Sequence, residues 1–241
     1  TRFSASFLAA EWSDVVDAWQ LTTWEQYRDV ARLGRKTRLS EAQRRELWAV
    51  FDRVRARLSA DGLTTLAGVF VGAAEAVAAA GSSPFGFAVV DESQDLTVPQ
   101  LRFLAALSQG RPNSLFFTGD LGQRIFQTPF SWKSLGVDIR GRSHTLRINY
   151  RTSHQIRRRA DKLLPGELAD VDGNTERRRG TVSVFTGPEP EIVRARSSGD
   201  EIEAAAAWMR ARLAEGVRPE EIGVFVRTER ETGRAEQAVR A

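Results

Sequence analysis

Along the first 82 or so residues, apolar positions recur at intervals of three and four, the spacing of one helix face. Ala5 to Gln20 and Thr23 to Leu33 carry aromatic and aliphatic residues at that spacing, and each is predicted helical. Ser40 is a good N-cap, and Gln43 three residues on completes a capping-box pattern. The helix it starts runs to about Leu58, with Leu47, Val50, Phe51, Val54 and Leu58 on one apolar face. Arg44, Arg45, Arg53, Arg55 and Arg57 lie mostly off that face and are expected to be solvated. Leu63 to Ala80 is a further helix, rich in alanine, stopped by Gly81 with Pro84 beyond.

From Phe85 the pattern changes to alternating strand and helix. Ala88, Val89 and Val90 form a short run rich in β-branched residues, the signature of a buried strand in a parallel sheet. Pro99 to Ser108 suits a helix packed on that sheet, and Ser114 to Thr118 is the next buried strand. Thr145 to Asn149 is a third strand, followed by a helix from Ser153 to Leu164. Thr181 to Phe185 and Ile222 to Val226 are two more strands, with a helix from Asp200 to Glu215 between them. Gly166 to Gly180, with the run Arg177-Arg178-Arg179, is expected to be an exposed loop. The alternation predicts an α/β fold with parallel sheets behind an N-terminal helical subdomain. Turn-rich breaks near Ser82 and between Ser134 and Ser143 divide the chain into 1–82, 83–140 and 141–241.

Composition narrows the class. The 241 residues are 41% hydrophobic and 27% charged, enough to bury one or two cores. No apolar run of membrane-spanning length occurs, and Glu11 and Asp14 interrupt what would be the core of a secretory signal. A cytoplasmic location is the default expectation. Cysteine is absent, which excludes disulfides and thiolate metal sites. The net charge of +4 rests on arginine, since the only lysines are Lys36, Lys133 and Lys162. Such a balance permits a nucleic-acid partner. The start at Thr1 and the single methionine, Met209, suggest a piece of a longer polypeptide.

The stretch Phe87 to Asp95, FAVVDESQD, carries the candidate chemistry. A hydrophobic strand delivering Asp91 and then Glu92 to its carboxyl end, where open α/β sheets bind ligands, is the Walker B arrangement of a nucleotide hydrolase. Asp91 would hold Mg²⁺ and Glu92 would position and deprotonate the attacking water. A second stretch, LFFTGDLGQRIFQTPFSW from Leu115 to Trp132, places Gln123 three residues after Asp120 in the neighbouring crevice. An amide there can donate to a γ-phosphate and report its loss through the following loop.

Asp91-Glu92-Ser93-Gln94-Asp95 resembles the DEAQD/DESQD signature of the UvrD/Rep type of superfamily 1 DNA helicases, and two later stretches resemble that family's next motifs in the same order. Leu115 to Trp132 is similar to the third motif, GDxxQxIYxWRGA, which implies γ-phosphate contact for Gln123 and base stacking on single-stranded DNA for Trp132. Phe126 stands where the family has tyrosine, and the wider gap before Ser131-Trp132 makes Phe126 and Phe130 rivals for the stacking role. Leu146 to Ile156, LRINYRTSHQI, resembles the LxxNYRS motif that opens the family's second RecA-like domain. The resemblance implies an arginine finger for Arg151 and adenine stacking for Tyr150. Ile222 to Ala241 is similar to a later strand-arginine-helix segment, with Arg227 helping to order the nucleotide site.

The implied protein is an ATP- and Mg²⁺-dependent helicase moving 3′ to 5′ on single-stranded DNA and opening duplex, built from parts of two RecA-like (P-loop NTPase) domains. The basic residues Arg140, Arg142, Arg147, Arg157, Arg158, Arg159 and Lys162 could contact phosphates or form a solvated face. His144 and His154 show no metal-ligand spacing. The segment holds no G-x-x-x-x-G-K-[ST] loop, and Gly34-Arg35-Lys36-Thr37 lacks the required spacing, so the segment alone is expected to be inactive. Two alternatives stay open: a relative that binds DNA or protein without hydrolysis, and part of a helicase-nuclease.

Overall fold

Local capping fixes the start of each N-terminal helix in the computed structural model, which describes residues 3–32, 37–124, 130–177 and 180–241. Ser4 caps α1 (Ala5–Glu11), which continues into a π-helical turn at Trp12–Asp17. Thr23 and Gln26 form a capping box on α2 (Trp24–Asp29), and Ser40 and Gln43 form another on α3 (Glu41–Ala60). α4 (Leu66–Ala80) ends at Gly81, whose φ of +63° supplies the left-handed C-cap. Leu33 and the Gly34-Arg35-Lys36 stretch lie outside the described residues.

Tyr27 organises the helical core. It stacks on Trp48 at 5.7 Å and meets the edge of Phe51 at 5.8 Å, within a cluster of Val15, Val16, Leu21, Leu47 and Phe51. Only Leu47 and Phe51 of the expected α3 face are fully buried, and Val54 is exposed. Two α3 arginines are not simply solvated. Arg44 donates to the carbonyls of Tyr27 (3.0 Å) and Arg28 (2.6 Å), satisfying groups that the end of α2 leaves open, and Arg55 donates to that of Leu21 (3.1 Å).

The chain is mixed α/β, with two small parallel sheets and one hairpin among the described residues. β1 (Ala88–Val90) and β2 (Leu115–Phe117) pair in parallel, joined through α5 (Val98–Ser108). One face of this pair packs on Val98, Leu101, Phe130 and Val137. The other is open, with Val89 75% and Phe116 62% exposed and paired in register. The expectation of buried strands is therefore corrected to strands covered on one face only, since α5 and its neighbours pack on a single side.

β3 (Ile148–Asn149) precedes α6 (His154–Asp161) and pairs in parallel with β6 (Val182–Ser183). The expected loop at 166–180 is instead an antiparallel hairpin, β4 (Glu167–Ala169) with β5 (Thr175–Arg177). Its five-residue turn is closed by Asp170, whose side-chain hydrogen bonds replace the hydrophobic alternation that normally announces a strand pair. Arg178 and Arg179 lie outside the described residues.

The chain forms two compact units, Thr1–Thr152 with Ala160–Val184, and Ser153–Arg159 with Phe185–Ala241. In the second, α7 (Ser198–Ala214) packs on α8 (Thr232–Arg240) through buried Ala206 and Ala238, and Arg234 bridges to Glu201 at 2.5 Å. Ile222 to Val226 is not a strand: it pairs with no other segment among the described residues, and Phe225 is 94% exposed. Apolar β-branched composition specifies an extended chain, but a ladder also needs a neighbouring backbone.

Candidate nucleotide site

The site lies at the carboxyl ends of β1 and β2. The ladder runs past Val90: Thr118 N–H donates to the Val90 carbonyl, and Ser93 N–H to that of Thr118, both at 2.8 Å. Between these bonds the chain turns at Glu92, whose φ of +51° and ψ of +40° are left-handed. A non-glycine residue there costs on the order of 1–3 kcal/mol, and such residues cluster at functional sites. The turn frees the two acids from strand alternation, and Asp91 and Glu92 both come out exposed.

Asp91 is held by short-range bonds. Its Oδ1 accepts from the Thr118 hydroxyl and from the Glu92 backbone N–H at 2.9 Å. The Thr118 hydroxyl first, then the Glu92 amide, with a smaller contribution from the charge of Arg151, hold the Asp91 carboxyl below its ordinary value of 3.8. Arg151, exposed just beyond β3, thus lies within electrostatic reach of Asp91 inside the same compact unit. Asn149 Oδ1 accepts from the backbone N–H of Arg151 (2.9 Å) and Thr152 (3.2 Å), fixing the turn that carries the arginine.

Gln94 joins the acidic pair to the next motif. Its Nε2 donates to Glu92 Oε2 at 2.7 Å, and its Oε1 accepts the backbone N–H of Asp120 at 3.1 Å. Asp120 in turn accepts from Gly122 N–H (2.8 Å) through Oδ1 and from Gln123 Nε2 (3.0 Å) through Oδ2. A hydrogen-bonded relay therefore runs Glu92, Gln94, Asp120, Gln123. Sequence reasoning assigned no role to Gln94, Thr118 or Gly119. Glutamine type within DESQD and a hydroxyl at the end of SLFFT were the available signals, but their partners lie 26 and 27 residues away.

The other predicted residues divide clearly. Tyr150 is 72% exposed. Phe130 is 7% exposed in the core, edge-on to Trp19, and has no free face for a base. Trp132 is half-buried, its ring against Phe117 at 4.9 Å and 70°. Phe126 lies outside the described residues. Arg227 belongs to the second unit and is exposed there. Several basic residues are already partnered, Arg140 by Asp138 at 2.6 Å, Arg142 by Asn113 and Arg158 by Glu189.

Among the described residues no group of three or more His, Asp or Glu could hold a metal by itself, and no helix is long and apolar enough to cross a membrane. Mg²⁺ sites of nucleotide enzymes ordinarily use one or two carboxylates, water and the substrate's phosphates, and an exposed, ionised Asp91 beside the Thr118 hydroxyl fits that donor set. The chain matches no family model and no curated protein.

Proposed function

We propose that this chain is a segment of an ATP-dependent DNA translocase or helicase of the UvrD/Rep type, comprising a helical subdomain and parts of two RecA-like domains. The observation that carries this reading is the relay from Glu92 to Gln123 at the ends of two parallel strands, with the charge of Arg151 in reach of Asp91. In an open α/β sheet this is where a ligand binds, and an acid pair, an amide and a guanidinium are the groups a phosphoryl transfer uses. Asp91 and the Thr118 hydroxyl would hold Mg²⁺, which would neutralise charge on the phosphate oxygens. Glu92 takes the proton of the attacking water, and Gln94 holds its carboxylate in place. Gln123 donates to the γ-phosphate by exchanging its bond from Asp120, so loss of the phosphate returns the amide to the carboxylate. Arg151 supplies positive charge to the transition state.

Uncovered apolar faces support a segment with further layers around it: Val89 and Phe116 on the first sheet, Phe225 in the second unit. The test uses the full-length chain that carries this segment. Its ATPase is expected to be stimulated by single-stranded DNA, and Glu92→Gln is expected to lower turnover at least about 100-fold while leaving nucleotide binding intact. Wild-type turnover in that variant removes Glu92 as the base.

A further inference from the structure

The tip of the β4–β5 hairpin is a turn built around one side chain. Asp170 Oδ1 accepts the backbone N–H of Asp172 (2.9 Å) and Asn174 (2.8 Å), and its Oδ2 accepts Asn174 Nδ2 (2.6 Å). Gly173, at φ +82°, supplies the left-handed position the turn requires. The turn presents the Asp172 carboxylate to residues 131–133. Its Oδ1 accepts the Ser131 hydroxyl at 2.5 Å and its Oδ2 the Lys133 backbone N–H at 3.0 Å, and the Trp132 N–H adds a third donor. Burial pushes the Asp172 carboxyl up, but these donors and Arg140 bring it net below its ordinary value, so it is a charged acceptor at neutral pH.

A second acid of the same hairpin makes a bond close to the proposed phosphate sensor. Glu176 Oε2 accepts the Leu121 N–H at 3.1 Å, two residues before Gln123. The hairpin therefore bonds the chain two residues before the proposed phosphate sensor and again at residues 131–133. The indole itself packs partly buried on the core and edge-to-face with Phe117, whose neighbour Thr118 bonds Asp91.

We propose that Asp172 is a positioning residue: by setting the backbone at 131–133, the hairpin tip orients the Trp132 indole as a stacking platform for single-stranded DNA, in register with the nucleotide site. This rests on the function proposed above, but nothing in the helicase motifs includes the hairpin.

The test is a double-mutant cycle in the full-length chain, read as the affinity for a labelled oligo-dT by fluorescence anisotropy without nucleotide. Asp172→Ala is expected to weaken binding about tenfold, the scale of losing one well-placed stacked base. Asp172→Asn, which keeps a carbonyl acceptor, is expected to lose less. In a Trp132→Ala background, Asp172→Ala is expected to change affinity by less than about twofold, because the two act as one unit. Ser131→Ala, which removes a single donor, is a milder probe and is expected to be non-additive with Trp132→Ala in the same way. Equal losses with and without the indole, or no loss from either Asp172→Ala or Ser131→Ala, overturn the assignment. A wild-type chain whose ATPase ignores single-stranded DNA sinks the function itself and this role with it. A chain that responds to DNA while the Asp172 and Ser131 variants stay silent sinks only the hairpin's role.

Discussion

Gly119 and Gln94 are fitted to one another without room for a methyl group. A Cβ on Gly119 would lie 2.7 Å from Gln94 Oε1, 2.7 Å from Ser93 Oγ and 3.3 Å from the Gln94 backbone N. Gln94 and Ser93 are buried, and the Gln94 amide is tied at both ends, so neither side chain can step aside cheaply. The glycine is required here by close approach, which lets the loop after β2 lie against the turn after β1.

Gly119→Ala is therefore expected to destabilise the fold by about 1–3 kcal/mol, the usual cost of overpacking a filled site. Urea unfolding measures it. An unchanged midpoint would mean that the two turns are not in contact in solution.

Gln94→Glu separates the two jobs of this side chain. The substituted carboxylate can still accept the Asp120 N–H, but it cannot donate to Glu92 and it places a second negative charge where the amide nitrogen now lies 2.7 Å from Glu92 Oε2. One of the two acids is expected to hold its proton at higher pH, and, on the function proposed above, turnover in the full-length chain is expected to fall about 10- to 100-fold through displacement of the proposed base. A pH profile superposable on the wild type would show that Glu92 does not depend on Gln94.

Several of these features were legible from residue order alone, and the reason is range. Ser40 with Gln43, and Gly81 after an alanine-rich helix, satisfy donors and acceptors within one turn, so the pattern and the bond coincide. Ala88 to Val90 announces a strand, because a run of β-branched residues depends only on neighbouring positions. Ile222 to Val226 has the same local composition as a strand and yet pairs with nothing described, since ladder membership is decided by another segment. The hairpin at 167–177 hid for the opposite reason: polar side chains around Asp170 build it, and no apolar alternation marks it. Phe130 and Trp132 look alike in sequence, but only packing decides that Phe130 is buried within the core while Trp132 lies half-buried at its edge.

Glu11 shows the same limit. In the sequence it is only a polar break in an apolar run. In the structure it is 0% exposed, accepts the Tyr27 hydroxyl at 3.0 Å and is gripped by Arg32 at 2.7 and 2.6 Å, with the arginine reaching on to the Thr37 carbonyl. Burial first, then Glu11, raises the Tyr27 pKa, so its hydroxyl stays a donor throughout the neutral range. Arg32→Met takes the guanidinium away from a fully buried carboxylate and is expected to cost about 3–5 kcal/mol. Glu11→Leu combined with Arg32→Met is expected to recover much of that loss, because it removes both charges. Urea unfolding of the single and double variants checks this, and a double variant no better than Arg32→Met would show that the pair itself stabilises the fold.

The acid side of the proposed nucleotide site makes a prediction about pH. Asp91 has a folded-state pKa below its ordinary value of 3.8, so its bonds contribute stability above that value and lose it as pH falls through the depressed pKa. Between about pH 5 and 8 the group stays ionised, and metal binding through it should show no inflexion from Asp91 in that window. The causes also have an order. Removing the Thr118 hydroxyl with Thr118→Val is expected to raise the Asp91 pKa toward 3.8 by more than Arg151→Ala does, since the hydroxyl bond is the largest influence and the distant guanidinium the smallest. Carboxyl carbon NMR through an acid titration of the three proteins measures that order. If Arg151→Ala moved Asp91 further, the carboxylate would face the arginine rather than the strand end, and the groups assigned to the metal would have to be redrawn.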